Sequence, residues 1–341
     1  MRVTVLGKSP AFADVGGACS GYLVQEGSTN LLMDIGNGVF GKLRAAIDYT
    51  AVDAVVISHM HADHSLDLVP FAYALIYSPD GRAREEPVQL MVPAGGRDQL
   101  RRVVGIWGGE DLIEEAFALE EYASGDTLVA GDVRIRTHAV PHFLPNTNAL
   151  ELSPAGGGGR ITYGADHGPA ETLVEFAQGT DLLMIEATLK EPESSGPRGH
   201  ITAREAGEHG RAANAGRLVV THVSDLIDVD WVRSEAEEGF GGPVTVAAEG
   251  DVYEAEETLA RNRADEIAAW GRRSTDWIPP SNLGPLPDDL RERAARLLQH
   301  QLAVAEQLVE RITQSQKQRN VAARMSYAPT RPVASYVDRA M

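Results

Sequence analysis

The sequence predicts an α/β fold, a sheet-rich core covered by helices on its outer faces. Short β-branched runs recur along residues 1 to about 253, separated by Gly-rich turns. Some of these runs alternate apolar and polar residues and others are continuously apolar, as strands do when one face or both faces are buried. Amphipathic segments fall between them, so helices must cover what the strands expose.

In chain order, Val3–Leu6, Tyr22–Gln25 and Asn30–Met33 read as strands, followed by a helix over Gly41–Ile47. The wholly apolar Ala54–Ile57 is a buried strand, and Asp67–Ile76 carries a helical stripe. The strand Val88–Val92, the helix Arg97–Val104 and the strand Val133–Val140 come next. Gly156–Gly159 reads as a flexible hairpin tip ahead of the strand Arg160–Tyr163. The helix Ala170–Ala177, strand Leu182–Ile185, helix Thr202–Ala213, strand Leu218–Thr221, helix Val229–Glu237 and strand Val244–Ala247 complete the pattern.

After Tyr253 the texture changes, which divides the chain into a domain over 1–253 and a helical extension over 254–341. Glu254–Trp270 reads as a helix, Thr275–Pro287 as a Pro-rich linker, and Pro287–Asn320 as a helix with an apolar stripe from Leu290 to Ile312. That stripe would dock on the main domain, on a second subunit in a homodimer, or on a separate partner. Met325–Met341 reads as a tail.

Composition excludes some classes of function. With 31 Lys and Arg against 49 Asp and Glu, the net charge is −18. A sequence-independent grip on nucleic acid needs clustered cations, so this balance argues against it. It leaves a small anionic substrate open, because a local pocket potential can oppose the global one. No run approaches the roughly 20 apolar residues of a membrane helix. The start, Met1-Arg-Val-Thr-Val-Leu-Gly, lacks the features of a secretory signal, and the one cysteine, Cys19, fits a reducing compartment, the cytoplasm.

The strongest chemical signal is Ser58-His59-Met60-His61-Ala62-Asp63-His64, directly after the apolar run Val55–Ile57. A strand ending in such a cluster places several side chains in one loop. Imidazole nitrogen and carboxylate oxygen suit Zn²⁺ and other first-row metals. This spacing can serve two adjacent ions.

This HxHxDH motif resembles that of the metallo-β-lactamase superfamily, and the similarity extends in order over residues 1 to about 253. Val5–Gly7, Ser20–Leu23 and Asp34–Gly38 resemble that family's opening hairpin and Asp/Gly-rich turn. The resemblance implies an αββα sandwich of two mixed sheets flanked by helices. It matches His142 to the third histidine ligand, Asp166 to the carboxylate bridging both metals, and His222 to the last histidine. One metal would then be held by His59, His61 and His142, the second by Asp63, His64 and His222, with Asp166 joining them. Two metals about 3.5–4 Å apart can share a water and lower its pKa toward neutrality. Asp63 could also orient that nucleophile. Zinc is the expected metal, and Mn²⁺ or Fe²⁺ suits the same ligands.

His200, in Arg198-Gly199-His200-Ile201-Thr202, resembles the His-x-Thr segment of the ribonuclease Z-like branch. The resemblance implies that His200 faces the scissile phosphate and protonates the leaving oxygen. Thr202 is also a fair helix N-cap, which leaves room for an incidental histidine. Glu186 could orient His200. Of the remaining histidines, His138 should be structural or lie behind the ligands, His167 is a pocket or supporting candidate, and His209 and His300 fall on helical patterns as surface residues.

His142 and Asp166 are close in sequence, where tRNA-trimming relatives generally insert a long RNA-gripping arm. The chain is therefore similar to the short bacterial members of the branch, which implies cleavage of a small, cyclic-nucleotide-type phosphodiester by a water shared between two metals, with His200 as the acid. Hydrolysis of a carboxylic ester, thioester or lactone by the same metals, a ribonuclease Z-type endonuclease, and a metal-binding scaffold acting through its C-terminal helices are the competing readings. Leu144–Asn148 and Phe71–Pro79 are the expected pocket-lining loops.

Overall fold

A computed structural model describes residues 1–255. One seven-stranded sheet contains β1 (Arg2–Gly7), β2 (Gly21–Glu26), β3 (Thr29–Ile35), β4 (Ala54–Val56), β5 (Val88–Pro93) and β6 (Phe117–Tyr122), with the last strand of the described chain, Val252–Glu254, on the free edge of β1. The other contains β7 (Thr127–Ala130), β8 (Val133–Ala139), β9 (Asn148–Pro154), β10 (Ile161–Tyr163), β11 (Leu182–Glu186), β12 (Leu218–Thr221) and β13 (Val244–Val246), in the order β13-β12-β11-β10-β9-β8-β7. Val252–Glu254 is hereafter β14. Both sheets are mixed: β3 through β6 and β10 through β13 run parallel, and the remaining pairs are antiparallel.

Three separate apolar cores set the layering. The inner faces of the sheets meet through Val3, Leu31, Val56, Leu150, Ile161, Met184 and Val219. Alternate residues of the first sheet, such as Leu32, Val55 and Leu90, turn outward. They pack under α1 (Val39–Ala46), α3 (Leu68–Tyr77), α5 (Gly96–Gly105) and α6 (Leu112–Ala116); the one-turn α2 (Ala62–Ser65) precedes α3, and the one-turn α4 (Pro79–Arg82) follows it. The second sheet turns Leu183, Ile185 and Val220 outward, under α7 (Glu171–Phe176), α8 (Ala203–Ala212) and α9 (Val229–Phe240). The result is the four-layer αββα sandwich that the sequence implied.

Every expected strand and helix within the described residues is present. Four strands were not foreseen. β6 and β14 are edge strands with charged or exposed positions, and β7 is four residues long. β9 is buried but carries Glu151, whose carboxylate pairs with Arg136 and Arg160 at 2.8 Å each, so its apolar run is interrupted in the sequence. Gly156–Gly159 does lie in the turn between antiparallel β9 and β10. Glu254 closes β14 instead of opening a helix. The rest of the expected helix to Trp270, the 275–287 linker, the 287–320 stripe, His300 and the tail lie outside the described residues. Among the described residues, no helix is long and apolar enough to cross a membrane.

Candidate metal centre

The site forms where parallel strands end. Met33 pairs with Val56, the last residue of β4, which sets Asp34, next along β3, near Ser58, two residues past β4. Tyr163 pairs with Met184, and Glu186 with Thr221, which brings Asp166, Glu186 and His222 to a common edge of the second sheet. Ligand sites in α/β sheets typically lie at these carboxyl ends. Asp34, Ala165 and His222 all have positive φ (58°, 53° and 55°). A left-handed non-glycine residue costs of order 1–3 kcal/mol, and such strain concentrates at functional sites. Gly36 has a different reason for its identity: a Cβ there would lie 1.9 Å from the Asp63 carbonyl oxygen. The His59–His64 loop therefore rests directly on this glycine, with the Asp63 carbonyl also accepting from Ser20 N–H at 3.1 Å.

Two groups of side chains that share a carboxylate converge there, beside a third metal-capable group of Glu186, His200 and His222. His59, His61, His142 and Asp166 form one, and Asp63, His64, Asp166 and His222 the other, each with ligand atoms within 4.8 Å of one another. Asp166 belongs to both. Its Oδ2 lies 3.8 Å from His59 Nε2 and 3.4 Å from His222 Nε2, while Oδ1 faces His64 Nε2 at 3.3 Å. The structure thus gathers all seven residues singled out from the sequence.

The donor chemistry of these groups fits cations. In the first group, His59 Nδ1 meets Ser58 Oγ at 3.1 Å, and that hydroxyl itself donates to Asp34. His142 Nδ1 donates to the Gly199 carbonyl at 2.8 Å. Both rings therefore carry their proton on Nδ1 and turn an Nε2 lone pair toward His61 Nδ1, at 3.0 and 3.1 Å. One N–H on His61 could satisfy only one of them, whereas a cation satisfies all three nitrogens. Burial lowers the pKa of His59, His61 and His142, so these imidazoles are neutral and ready to ligate.

In the second group, His64 donates from Nδ1 to Asp34 at 2.7 Å. His64 Nε2 and Asp166 Oδ1 are buried without a hydrogen-bond partner. His222 Nδ1 donates to Thr188 Oγ1 at 2.8 Å, and Thr188 donates to Glu186 Oε2 at 2.6 Å. His222 Nε2 is thereby aimed at Asp63 Oδ2, 3.4 Å away. Burial works against charge on His64, yet the Asp166 and Asp34 carboxylates hold its pKa well above the usual value. The position demands positive charge from a proton or a metal. Asp63 and Asp166 are pushed the other way: burial opposes their ionisation, but the surrounding histidines, His222 prominent among them, keep both carboxyls below the usual range.

Beside these groups, His200 Nδ1 contacts both Glu186 oxygens, at 3.0 and 3.1 Å. The His200 ring lies 5.0 Å from His142 and stacks 5.8 Å from His222. Its side chain is 17% exposed, while that of Glu186 is 1% exposed. Burial disfavours charge on His200, but the Glu186 carboxylate outweighs it and raises the pKa to about 9. Thr202 also caps α8 in a reciprocal capping box with Glu205, so the cap and the site coexist in one segment.

Comparison with known proteins agrees with this geometry. Residues 29–223 match the model of the beta-lactamase superfamily domain. The chain belongs to that superfamily. It is 30% identical to the probable metallo-hydrolase YhfI of Bacillus subtilis over 74% of this chain and 100% of that protein. It is 28% identical to ribonuclease Z of Myxococcus xanthus, covering 74% of this chain and 97% of the relative. The crystal structure of YhfI superposes with a TM-score of 0.64 at 26% identity, over 74% of this chain and 99% of the other. The short form of human tRNase Z shares the fold, with a TM-score of 0.59 at 19% identity over 75% of this chain and 99% of that one. The protein is a member of a metallo-hydrolase family with His and Asp groups able to bind metal.

Several supporting residues escaped sequence reasoning. Asp34 is fully buried and accepts from Ser58 N–H, Ser58 Oγ, Tyr163 OH and His64, so one carboxylate fixes the loop and a ligand together. Thr188 and the Gly199 carbonyl orient His222 and His142. Two expectations need correction. His209 is half-buried, not a surface residue: its Nδ1 donates to the Glu205 carbonyl and its Nε2 accepts from Ala170 N–H at 3.2 Å, joining α8 to the start of α7. The segment Phe71–Pro79 does not line the site. Phe71, Ala72 and Leu75 point into the outer core, and Tyr73 and Tyr77 face a groove that they share with Trp107. Leu144–Asn148 does border the site, tied to it by Asn148 N–H donating to the Ser58 carbonyl at 3.1 Å. His138 stacks on Phe176 at 4.9 Å, a structural position, and His167 lies fully buried with its backbone N–H donating to Glu186, a supporting one.

Proposed function

We propose that the protein is a phosphodiesterase using two divalent cations, zinc by preference, and acting on a small phosphodiester of the cyclic-nucleotide type. His59, His61 and His142 would hold one cation, Asp63, His64 and His222 the other, with Asp166 between them. Two such ions would supply Lewis acidity to a phosphoryl oxygen and lower the pKa of an attacking water. Asp63, beside the shared Asp166, would accept a hydrogen bond from that water and orient it.

The observation that carries the reading is the Glu186–His200 pair on the open side of the groups. Glu186 occupies Nδ1 of His200, which leaves Nε2–H with no partner among the described residues. The Glu186 carboxylate raises the pKa of His200 to about 9 and so favours the protonated ring. Hydrolysis of a phosphodiester expels an alkoxide, which needs a proton as the P–O bond breaks. A poised acid of this kind contributes roughly 10²–10⁴-fold. The small substrate is supported by the span between His142 and Asp166, which β9, its turn and β10 consume without a protruding arm. The resemblance to ribonuclease Z of Myxococcus xanthus over nearly its whole length supports a second reading, cleavage of an RNA phosphodiester.

Metal-loaded protein should open cyclic AMP and hydrolyse bis-p-nitrophenyl phosphate, with both activities removed by a chelator. Failure on both diesters, with hydrolysis of a lactone or thioester instead, would refute the assignment.

A further inference from the structure

Phe143 follows His142 and is 57% exposed. A lone exposed phenylalanine is ordinary on a soluble protein, but the surroundings of this ring are not. It lies tilted against His142 with centroids 5.1 Å apart, and edge-on to His200 at 5.7 Å. A Cβ on Gly199 would sit 2.4 Å from two of its ring carbons, so the ring rests on bare backbone that only glycine offers. The carbonyl of the same Gly199 accepts the Nδ1 proton of His142. One residue therefore makes room for the ring and fixes a ligand beside it. No other aromatic ring of the described residues packs on Phe143, which leaves its exposed side for a ligand.

We propose that Phe143 is a stacking platform for the nucleobase of a mononucleotide, and that it sets the preference of the site for phosphoesters that carry a base. The inference rests on the phosphodiesterase reading above. A phosphoryl group seated beside His200 would carry its base one sugar away, within reach of a ring that itself packs on His200 at 5.7 Å. A planar π-system held at a fixed tilt suits a base, because every base has a face that can stack. Phenylalanine adds no hydrogen-bonding group, so the platform should tolerate different bases and favour the larger purines. Stacking of this kind is worth roughly ten-fold or more in affinity per base.

Calorimetric titration of the metal-loaded full chain with AMP and with ribose 5-phosphate tests the proposal. The wild type should bind AMP about ten-fold or more tightly than ribose 5-phosphate. Phe143→Ala should bind the two equally, and Phe143→Trp should restore the preference. Equal binding by the wild type overturns the proposal, as does a preference that survives Phe143→Ala. A short single-stranded RNA that binds more tightly than AMP also overturns it, in favour of a polynucleotide. Cleavage of cyclic AMP and bis-p-nitrophenyl phosphate by the wild type, followed in parallel, reports on the underlying reading. Preference for AMP without cleavage of either diester refutes the phosphodiesterase and leaves the platform standing. Cleavage without the preference refutes the platform alone.

Discussion

The groups around His59 and His64 share Asp166 but differ in how closely carboxylates surround them. In the first group the Gly199 carbonyl stands behind His142, and the Ser58 hydroxyl stands behind His59 with Asp34 one hydrogen bond further back. The second group is backed by carboxylates, Asp34 directly behind His64 and Glu186 behind His222 through Thr188. Charge at the back of an imidazole raises its basicity as a ligand. Thus the first group offers three imidazoles and one carboxylate, and the second two imidazoles and two carboxylates, with Asp34 directly behind His64. One shared carboxylate thus joins a histidine-rich group to a carboxylate-rich one.

Asp166 belongs to both groups, so its loss carries the largest expected effect. Asp166→Ala should strip cation from both groups and lower diester hydrolysis by more than about a thousand-fold, the scale of several kcal/mol of lost metal stabilisation. Metal analysis of the purified variant checks it; loss from one group alone would mean that Asp166 is not shared. Next in size is His200→Ala, expected to lower kcat by roughly 10²–10⁴-fold. Metal content should stay at the wild-type level, which separates a proton donor from a ligand. Asp34→Asn should weaken the His64-containing group by about 10–100-fold. Competition with a chromophoric chelator should show the His64-containing site weakened more than the other, which reaches Asp34 only through Ser58; equal weakening of both would mean that the direct and the relayed contact count alike.

The smallest effect concerns the frame that presents His200. Burial raises the pKa of Glu205, but Arg198 and the Thr202 cap overcome it and bring the carboxyl to about 2. A folded pKa below the ordinary 4.5 means that folding favours the charged form. That contribution is full above pH 4.5 and disappears as the pH falls toward 2. Glu205→Gln should cost under about 1 kcal/mol at pH 7, since the pair is partly exposed and glutamine can keep the cap. Urea unfolding of both proteins across pH 7 to 3 should show the gap closing as the solution becomes acidic.

Much of the site was legible in the sequence because metal ligands must be a few residue types at strand ends. His59, His61, Asp63 and His64 advertise themselves by spacing, and the family resemblance supplied His142, Asp166 and His222. The supports were not legible. Asp34 is one aspartate among many until β3 and β4 pair and bring Ser58 and His64 onto it. Thr188 and the Gly199 carbonyl act through single hydrogen bonds that leave no pattern in the chain. The same reason explains His209, whose helical position hides a contact with a neighbouring helix. In the fold, period and apolar runs revealed the buried parallel strands, while edge strands such as β6, with Glu120 and Glu121, carry the charges that conceal them.

The most direct test of the account is a titration of metal-free full-length protein with zinc, with bound metal and bis-p-nitrophenyl phosphate hydrolysis measured at each step. Two ions per chain should bind, and hydrolysis should rise to its full value only as the second is filled. Binding of a single ion that gives complete activity, or hydrolysis undiminished in the metal-free protein, would contradict it.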